Sequence, residues 1–207
     1  MRIFLETDRL TLRRFTAADE DNLFELNSDP EVMRFLSGGR PTPRDAVRTR
    51  ILPTFLAYYE QFEGFGFWAA EETATGQFLG WFHFRPPLPD ASPPGWLEDG
   101  QIELGYRLRQ LSWGKGYATE GSRALIDKGF AEFGVQRVVA ETMTDNLASR
   151  RVLEKSGLTL VGAFPADGLA TIEGAGPDCV EYALTRADWE ARRAGGPSAG
   201  RPPGTPV

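Results

Sequence analysis

Apolar positions along the chain change their period several times, and each change marks a predicted element. From Arg9 to Arg14, Leu10 and Leu12 alternate with polar residues, the period of a half-buried strand. Beyond Thr16 the spacing lengthens. Leu23, Phe24, Leu26 and Asn27 recur at helical intervals, and Asp29 with Pro30 is expected to end that helix. Thr42, Pro43, Arg44 and Asp45 have the form of a capping box, predicting a second helix to about Gln61 that Pro53 kinks or divides. Phe65–Glu71 and Gln77–Arg85 read as the two strands of a hairpin around Ala74, Thr75 and Gly76.

The second half alternates strands with helices. Pro86 to Gly100, with five prolines and little periodicity, is expected to be an exposed loop near a site or at a dimer surface. A strand over Gln101–Leu108 follows, then a glycine-containing turn. The helix after it carries Ser122, Leu125, Ile126, Gly129, Phe130 and Phe133 on one side and stops at Gly134. Gln136–Met143 is a strand, Leu147–Ser156 a helix capped by Asp145 or Asn146 and closed by Gly157, and Leu158–Phe164 and Cys179–Thr185 two last strands. From Ala194 onward, glycine and proline dominate and almost no apolar residue is left, so disorder is expected over 194–207. The remainder, 1–193, is expected to be a single domain, and no internal repeat is present.

Composition narrows the function classes. A chain of 207 residues, 41% hydrophobic, supports one well-packed core. Its net charge of -6 gives no basic field for a nucleic acid or an anionic membrane, and suits a cationic acceptor better. The single cysteine, Cys179, cannot form an internal disulfide. No stretch approaches the roughly 20 apolar residues of a membrane span, so an untargeted cytoplasmic enzyme is expected.

The most informative run is Ile102 to Leu108 followed by Trp113, Gly114, Lys115, Gly116, Tyr117, Ala118, Thr119 and Glu120. A strand that turns through glycines into a helix N-terminus offers unpaired amides and the positive end of the helix dipole to one anion. Glycine at 114 and 116 lets the backbone approach that anion closely, although two glycines can also simply make a tight turn. The dinucleotide fingerprint is excluded because Thr119 stands where its last glycine belongs, and no phosphate-binding P-loop motif occurs.

This run, with Asn146, Leu147, Ala148, Ser149 and the later Glu154, Lys155, Ser156, Gly157, resembles the GNAT superfamily of N-acetyltransferases. Together with Glu6 to Arg13, it is similar to the Rim-type branch that acetylates ribosomal-protein N-termini. The resemblance spans about residues 6 to 190. It implies an α/β (α+β) fold with a mixed, mostly antiparallel sheet of about 6–7 strands and about four helices. It implies acetyl-CoA as co-substrate and a primary amine, of a protein N-terminus or a small molecule, as acceptor, with direct transfer in a ternary complex and no metal. Amides from Gly114 through Lys115, Gly116, Tyr117 and Ala118 to Thr119 would bind the pyrophosphate. The backbone of Tyr106, Arg107 and Leu108 would pair with the pantetheine, and Asn146 and Ser149 would touch it near the thiol. A homodimer is also compatible with the resemblance. Two departures from the family pattern stand out. Leu111 replaces a glutamine or arginine three residues before the first glycine, and Leu153 replaces a tyrosine used as general acid, leaving proton return to Ser149 or water.

Transfer to an ammonium requires a base, and the oxyanion requires a fixed donor. Glu103 is the first candidate base, with a solvent-facing strand position as the alternative; Asp167, Glu173 and Asp178 are further candidates. A main-chain amide near Tyr106 would stabilise the oxyanion. Asn146 and Ser149 can also be read as a helix cap and a surface hydroxyl. His83 is expected to be structural or to line a cleft, since no GxSxG elbow or zinc ligand set accompanies it. Phe65, Phe67, Trp68, Trp81 and Phe84 are read as core rather than binding surface, and Cys179 as buried without a catalytic role. The reading from another class is an inactive CoA-binding sensor or interaction module of the same fold. A longer acyl donor such as succinyl-CoA would differ only in pocket size.

Overall fold

The alternation read from the sequence becomes one continuous sheet. A computed structural model of the chain describes residues 2–86, 100–165 and 178–194. Among these, strands β1 (Ile3–Glu6), β2 (Leu10–Arg14), β3 (Gly66–Glu72), β4 (Phe78–Arg85), β5 (Gln101–Leu108), β6 (Arg137–Met143), β7 (Thr159–Pro165) and β8 (Asp178–Thr185) lie in the order β1-β2-β3-β4-β5-β6-β8-β7. Every neighbouring pair is antiparallel except β5 and β6. The sheet is therefore mixed and mostly antiparallel as expected, but with eight strands rather than six or seven. The additional strand is β1, whose four residues are too few to show a period.

The β5–β6 pairing is short. Gln101, Ile102 and Glu103 face Arg137, Val138 and Val139, and beyond them the two strands make no further pairs. From Leu104 onward β5 keeps its partner β4 on one side, as far as Gly80 opposite Leu108, while its other edge is unpaired with β6.

Helices cover both faces. The Asp29-Pro30 break read from the sequence ends α1 (Glu20–Ser28) and also starts a helix that the sequence reading missed, α2 (Pro30–Ser37). Asp29 Oδ1 accepts from the amides of Glu31 at 2.9 Å and Val32 at 3.4 Å, and Pro30 fills the first helical position, where no N–H is needed. The predicted capping box at Thr42 does not form. Pro43 caps α3 (Arg44–Ala46) with no side-chain bond, and the Thr42 amide donates to the Asn27 carbonyl instead. A π turn (Val47–Ile51) joins α3 to α4 (Leu52–Gln61), placing the widened turn just before Pro53, where the absent N–H and the ring would otherwise disturb a regular helix. The remaining helices are α5 (Tyr117–Glu132), α6 (Leu147–Lys155) and α7 (Arg186–Ala194). Helix α7 has no buried residue, which is why no apolar stripe announced it. It is held by Arg186 to the carbonyls of Phe130 and Val135, and by Trp189 to Asp127. Ala194, expected to begin the disordered tail, closes this helix; 195–207 and most of the proline-rich loop, 87–99, lie outside the described residues.

Burial on both faces explains the near-continuous apolar runs of β3 and β4. On one face Phe82, Phe84 and Leu104 pack against Leu125, Ile126 and Phe130 of α5; on the other Phe67 and Trp81 pack against Phe55 and Tyr58 of α4 and Leu23 and Leu26 of α1. The aromatics read as core are core: Phe67, Trp68, Trp81 and Phe84 are all buried, and Phe65 packs partly buried against them. Cys179 is likewise buried, its thiol against Met143 Sδ at 3.8 Å. A buried ion cluster ties β2 to the start of α1: Arg13 grips Asp19 with two bonds of 2.7 and 2.8 Å and reaches Glu71 Oε1 at 2.7 Å.

Close approach of α5 to the sheet depends on its glycines. A Cβ at Gly121 would sit 2.4 Å from the Phe82 ring, and one at Gly129 the same distance from Phe84. Gly121→Ala is therefore expected to lower stability by about 1–3 kcal/mol, although alanine alone would favour the helix by roughly 0.8–1.0 kcal/mol. Urea unfolding midpoints measure the sign directly.

Candidate active site

Where β5 and β6 part, the N-terminal turns of α5 and α6 and one side of α2 enclose a cleft of about 430 Å³. That volume is in the range of small-ligand sites. It is lined by Tyr106, Arg107 and Leu108 at the end of β5, by Gly114, Gly116, Tyr117, Ala118 and Thr119 at the start of α5, and by Asn146, Ser149 and Lys155 of the α6 segment. Eleven residues were proposed to hold a cofactor; the structure brings all of them except Lys115 onto this one wall. Lys115 enters through its carbonyl, which accepts from Arg9 Nη1 at 2.9 Å.

The turn into α5 has the conformation the glycines permit. Gly114 and Gly116 have φ of 73° and 87°, and Gly116 caps α5 with no side-chain bond. Among the described residues the first amide of this helix with a backbone acceptor is that of Glu120, to Gly116; none from Gly114 to Thr119 has one. These free amides, at the positive end of a 16-residue helix, are a ready anion cradle. The charge of the wall agrees: Arg34, Arg107, Arg151 and Lys155 line it against Glu31 alone, in a chain whose net charge is -6.

The cradle is braced from behind by residues that sequence reasoning flagged without a role. Glu120 Oε1 accepts from Thr7 Oγ1 at 2.6 Å and from the Arg9 amide at 3.0 Å, while Glu120 Oε2 pairs with the Arg9 guanidinium at 2.5 Å. Arg9 also lies over the Tyr117 ring, at 4.7 Å, and Tyr117 donates to Glu72 at 2.5 Å. The Thr7-to-Arg9 turn between β1 and β2 thus fixes the helix N-terminus to the sheet. Burial raises the Glu120 carboxyl, but the bonds from Thr7 and Arg9 outweigh it and hold its pKa below the ordinary range.

At the inner end of the cleft, Tyr106 Oη lies 3.0 Å from Ser149 Oγ and 3.1 Å from the Ser149 carbonyl, to which it donates. Burial pushes the Tyr106 phenol well above its usual pKa, so it holds its proton throughout the physiological range. Leu153, at the position of the family tyrosine, is buried in the core, whereas this phenol reaches the neighbourhood of Ser149 from the strand. Asn146 Oδ1 caps α6 by accepting from the Ser149 amide at 3.2 Å, so its helix-cap reading holds while it also lines the cleft. The Leu108 carbonyl already accepts from Trp113 Nε1 at 2.8 Å.

Glu103 is not brought to this wall. It occupies the paired part of β5, on the sheet face opposite Tyr106, with Oε2 2.6 Å from Arg85 Nη2 and Oε1 3.6 Å from His83 Nε2. It is neither solvent-facing nor among the cleft residues. Burial raises its pKa against the opposing pull of Arg85, and Glu141 adds to the rise. His83, largely buried, is held neutral by burial and by the nearby cations of Arg85 and Arg107. Asp178 begins β8, exposed, with its carbonyl accepting from Thr144; Asp167 and Glu173 lie outside the described residues. Among the described residues no group of His, Cys, Asp and Glu could hold a metal ion, and no helix is long and apolar enough to cross a membrane.

Sequence and fold comparisons agree on the family to which this architecture belongs. The profile of the Acetyltransferase (GNAT) domain matches residues 9–159. The FsC-acetyl coenzyme A-N(2)-transacetylase of Aspergillus fumigatus is 34% identical over 191 residues, covering 89% of this chain and 77% of that protein. The uncharacterized N-acetyltransferase YoaA of Bacillus subtilis is 30% identical over 160 residues, covering 77% and 85%. Among solved structures, the fold matches RimL, a ribosomal alpha-N-protein acetyltransferase in complex with coenzyme A, with a TM-score of 0.72 over 89% of this chain and 98% of that one, at 18% identity. The chain belongs to the GNAT acetyltransferases and is an N-acetyltransferase of that family.

Adding a carboxylate to the cradle opposes its field, and Gly116 has a left-handed φ. Excess acetyl-CoA is expected to raise the unfolding temperature of the wild type, and Gly116→Glu is expected to abolish that rise. That rise corresponds to about 2.7 kcal/mol at 100 times the dissociation constant. The variant should still unfold cooperatively without ligand.

Proposed function

We propose that the protein transfers an acetyl group from acetyl-CoA to a primary amine in a ternary complex, without a covalent acyl-enzyme. The observation that carries this reading is the convergence of an anion cradle, an unpaired strand edge and a protonated Tyr106–Ser149 pair on one cleft. Acetyl-CoA supplies the activated acyl group. The amides of Gly114 to Thr119 hold its pyrophosphate, aided by the basic wall, and the Tyr106–Leu108 edge aligns its pantetheine arm. Asn146 keeps the α6 N-terminus, and with it Ser149, beside that arm.

The acceptor must lose a proton and the departing thiolate must gain one. Ser149 returns the proton to sulfur, and Tyr106, whose phenol touches the same hydroxyl, keeps the pair protonated and oriented. Glu103 is the base. Burial raises its pKa against the pull of Arg85, which makes it a stronger proton acceptor than an exposed carboxylate, and because it stands off the cleft wall the proton reaches it through water. The main-chain amide near Tyr106 stabilises the developing oxyanion. The acceptor amine belongs to a small molecule or a protein N-terminus. The sequence likeness to an N(2)-transacetylase favours the first and the Rim-type motifs the second.

Release of free thiol from acetyl-CoA in the presence of an amine panel tests the activity. Ser149→Ala is expected to lower kcat by about 10²-fold or more, with acetyl-CoA affinity nearly unchanged, since a positioned acid contributes about 10²–10⁴. Glu103→Gln should lower kcat to a similar degree. In the wild type kcat/KM falls as pH drops through the raised Glu103 pKa, because the base must be ionised, and this limb should be missing from the Gln variant. A pH profile identical in both proteins removes Glu103 from the mechanism.

A further inference from the structure

Arg107 is a half-buried cation without a paired anion among the described residues. Its side chain shares the sheet face of Glu103 and His83, because Arg107 is paired with Trp81 and Gly105 with His83 across β4 and β5. Burial alone draws its pKa down to about 10. Among the described residues no carboxylate lies within ion-pair reach. Glu103 is held by Arg85 at 2.6 Å and Glu25 by Arg109 at 2.7 Å, and Glu31, on the same cleft wall, makes no ion pair with it. One donor, Nη1, is bound to Asn27 Oδ1 at 2.5 Å, and the guanidinium lies 5.1 Å from the Trp81 ring. The arginine side chain therefore has a fixed position, a desolvated charge and donors to spare. It also lines the cleft.

A buried guanidinium is costly unless an oxygen partner satisfies it, and Arg prefers planar, two-oxygen or carbonyl acceptors. The strand next to it is bare. Gly105 is the only β5 position between Glu103 and Arg107 on this face, and a Cβ there would meet His83 Nε2 at 2.4 Å. That Nε2 is buried without a hydrogen-bond partner. Carboxylate, neutral imidazole and free guanidinium thus follow one another along one face, while Tyr106, the immediate neighbour of Arg107, holds Ser149 on the other. An acceptor whose amine reaches the transfer point has the Arg107 donors within a residue of the chain.

We propose that Arg107 is the acceptor-recognition residue, receiving a carbonyl or carboxylate oxygen attached to the carbon that bears the amine, so that the acceptor is an α-amino acyl compound and not a simple alkylamine. This rests on the acetyl-transfer reading above. It makes the Arg107 backbone part of the donor site and its side chain part of the acceptor site.

The test measures kcat/KM by thiol release for alaninamide, alanine and isopropylamine, in the wild type and in Arg107→Met and Arg107→Lys. The wild-type preference for alaninamide or alanine over isopropylamine should fall roughly 10- to 100-fold in Arg107→Met, the range for one hydrogen bond to a charged group. Arg107→Lys, with charge but no planar fork, should keep an intermediate preference. Comparing ratios between variants cancels the different basicities of the amines. The better wild-type substrate of the first two separates a carbonyl from a carboxylate acceptor. An unchanged ratio in both variants, with thiol still released, overturns the assignment of Arg107 and leaves acetyl transfer standing. No thiol release from any amine by the wild type overturns both. Should Arg107→Met not fold, as judged by loss of a cooperative thermal unfolding transition without ligand, the ratio in Arg107→Lys decides.

Discussion

The parallel contact between β5 and β6 lasts three residue pairs, and the site depends on its ending there. Strands joined by a crossover helix normally continue their ladder, because an unpaired edge leaves backbone groups without partners. Here β5 stays bound to β4 from Glu103 to Leu108 while β6 turns to β8, with which it pairs along its whole length from Arg137 to Met143. The sheet is continuous at one end of β5 and open at the other. The opening exposes a strand edge, and the helices that follow β5 and β6 both begin beside it. A cleft lined by two helix N-termini and a free edge is the direct result.

Holding that opening requires anchors on either side. On the α5 side, Gly121 and Gly129 let Phe82 and Phe84 press against the helix, and the Thr7–Arg9–Glu120 contacts fix its first turn. On the opposite face, the Arg13–Asp19–Glu71 cluster seats α1, and through it Asn27 and α2, over the end of β5. Such a buried ion cluster contributes less to net stability than its short distances suggest, because desolvation offsets the attraction. Its value is geometric. It sets where α2 walls the cleft and where Arg107 meets the side-chain oxygen of Asn27.

The cleft takes side chains from both faces of a single strand. Tyr106 and Arg107 are consecutive, so the pleat sends them to opposite sides of the sheet. The phenol meets Ser149 on the α6 side and the guanidinium meets Asn27 on the α1 side. Because β5 has no partner on its β6 side at that point, both residues reach the same cleft. An intact sheet would have separated them.

Local pattern was enough for much of this. The periods of the apolar residues marked β2 to β8, α1, α5 and α6 with ends shifted by at most a few residues, since all but β7, which has no buried residue, bury positions that their own spacing records. The glycine turn before α5 and the cap at Asn146 were legible because they follow from backbone conformation and nearby side chains. Elements without an apolar signature were not: β1 is too short, α7 buries nothing of its own, and Asp29-Pro30 reads equally well as a stop and a start. The relations between distant residues were decided only in three dimensions. Tyr106 and Ser149 are 43 positions apart and Arg107 and Asn27 are 80 apart, and nothing local to either residue encodes the meeting. The same is true of Glu103, whose strand position was evident but whose pairing with Arg85, and distance from the cleft wall, depended on the register of β4 against β5. Sequence fixes what each segment can become by itself; which groups are desolvated together, and so which keep or lose their protons and partners, depends on how the segments pack.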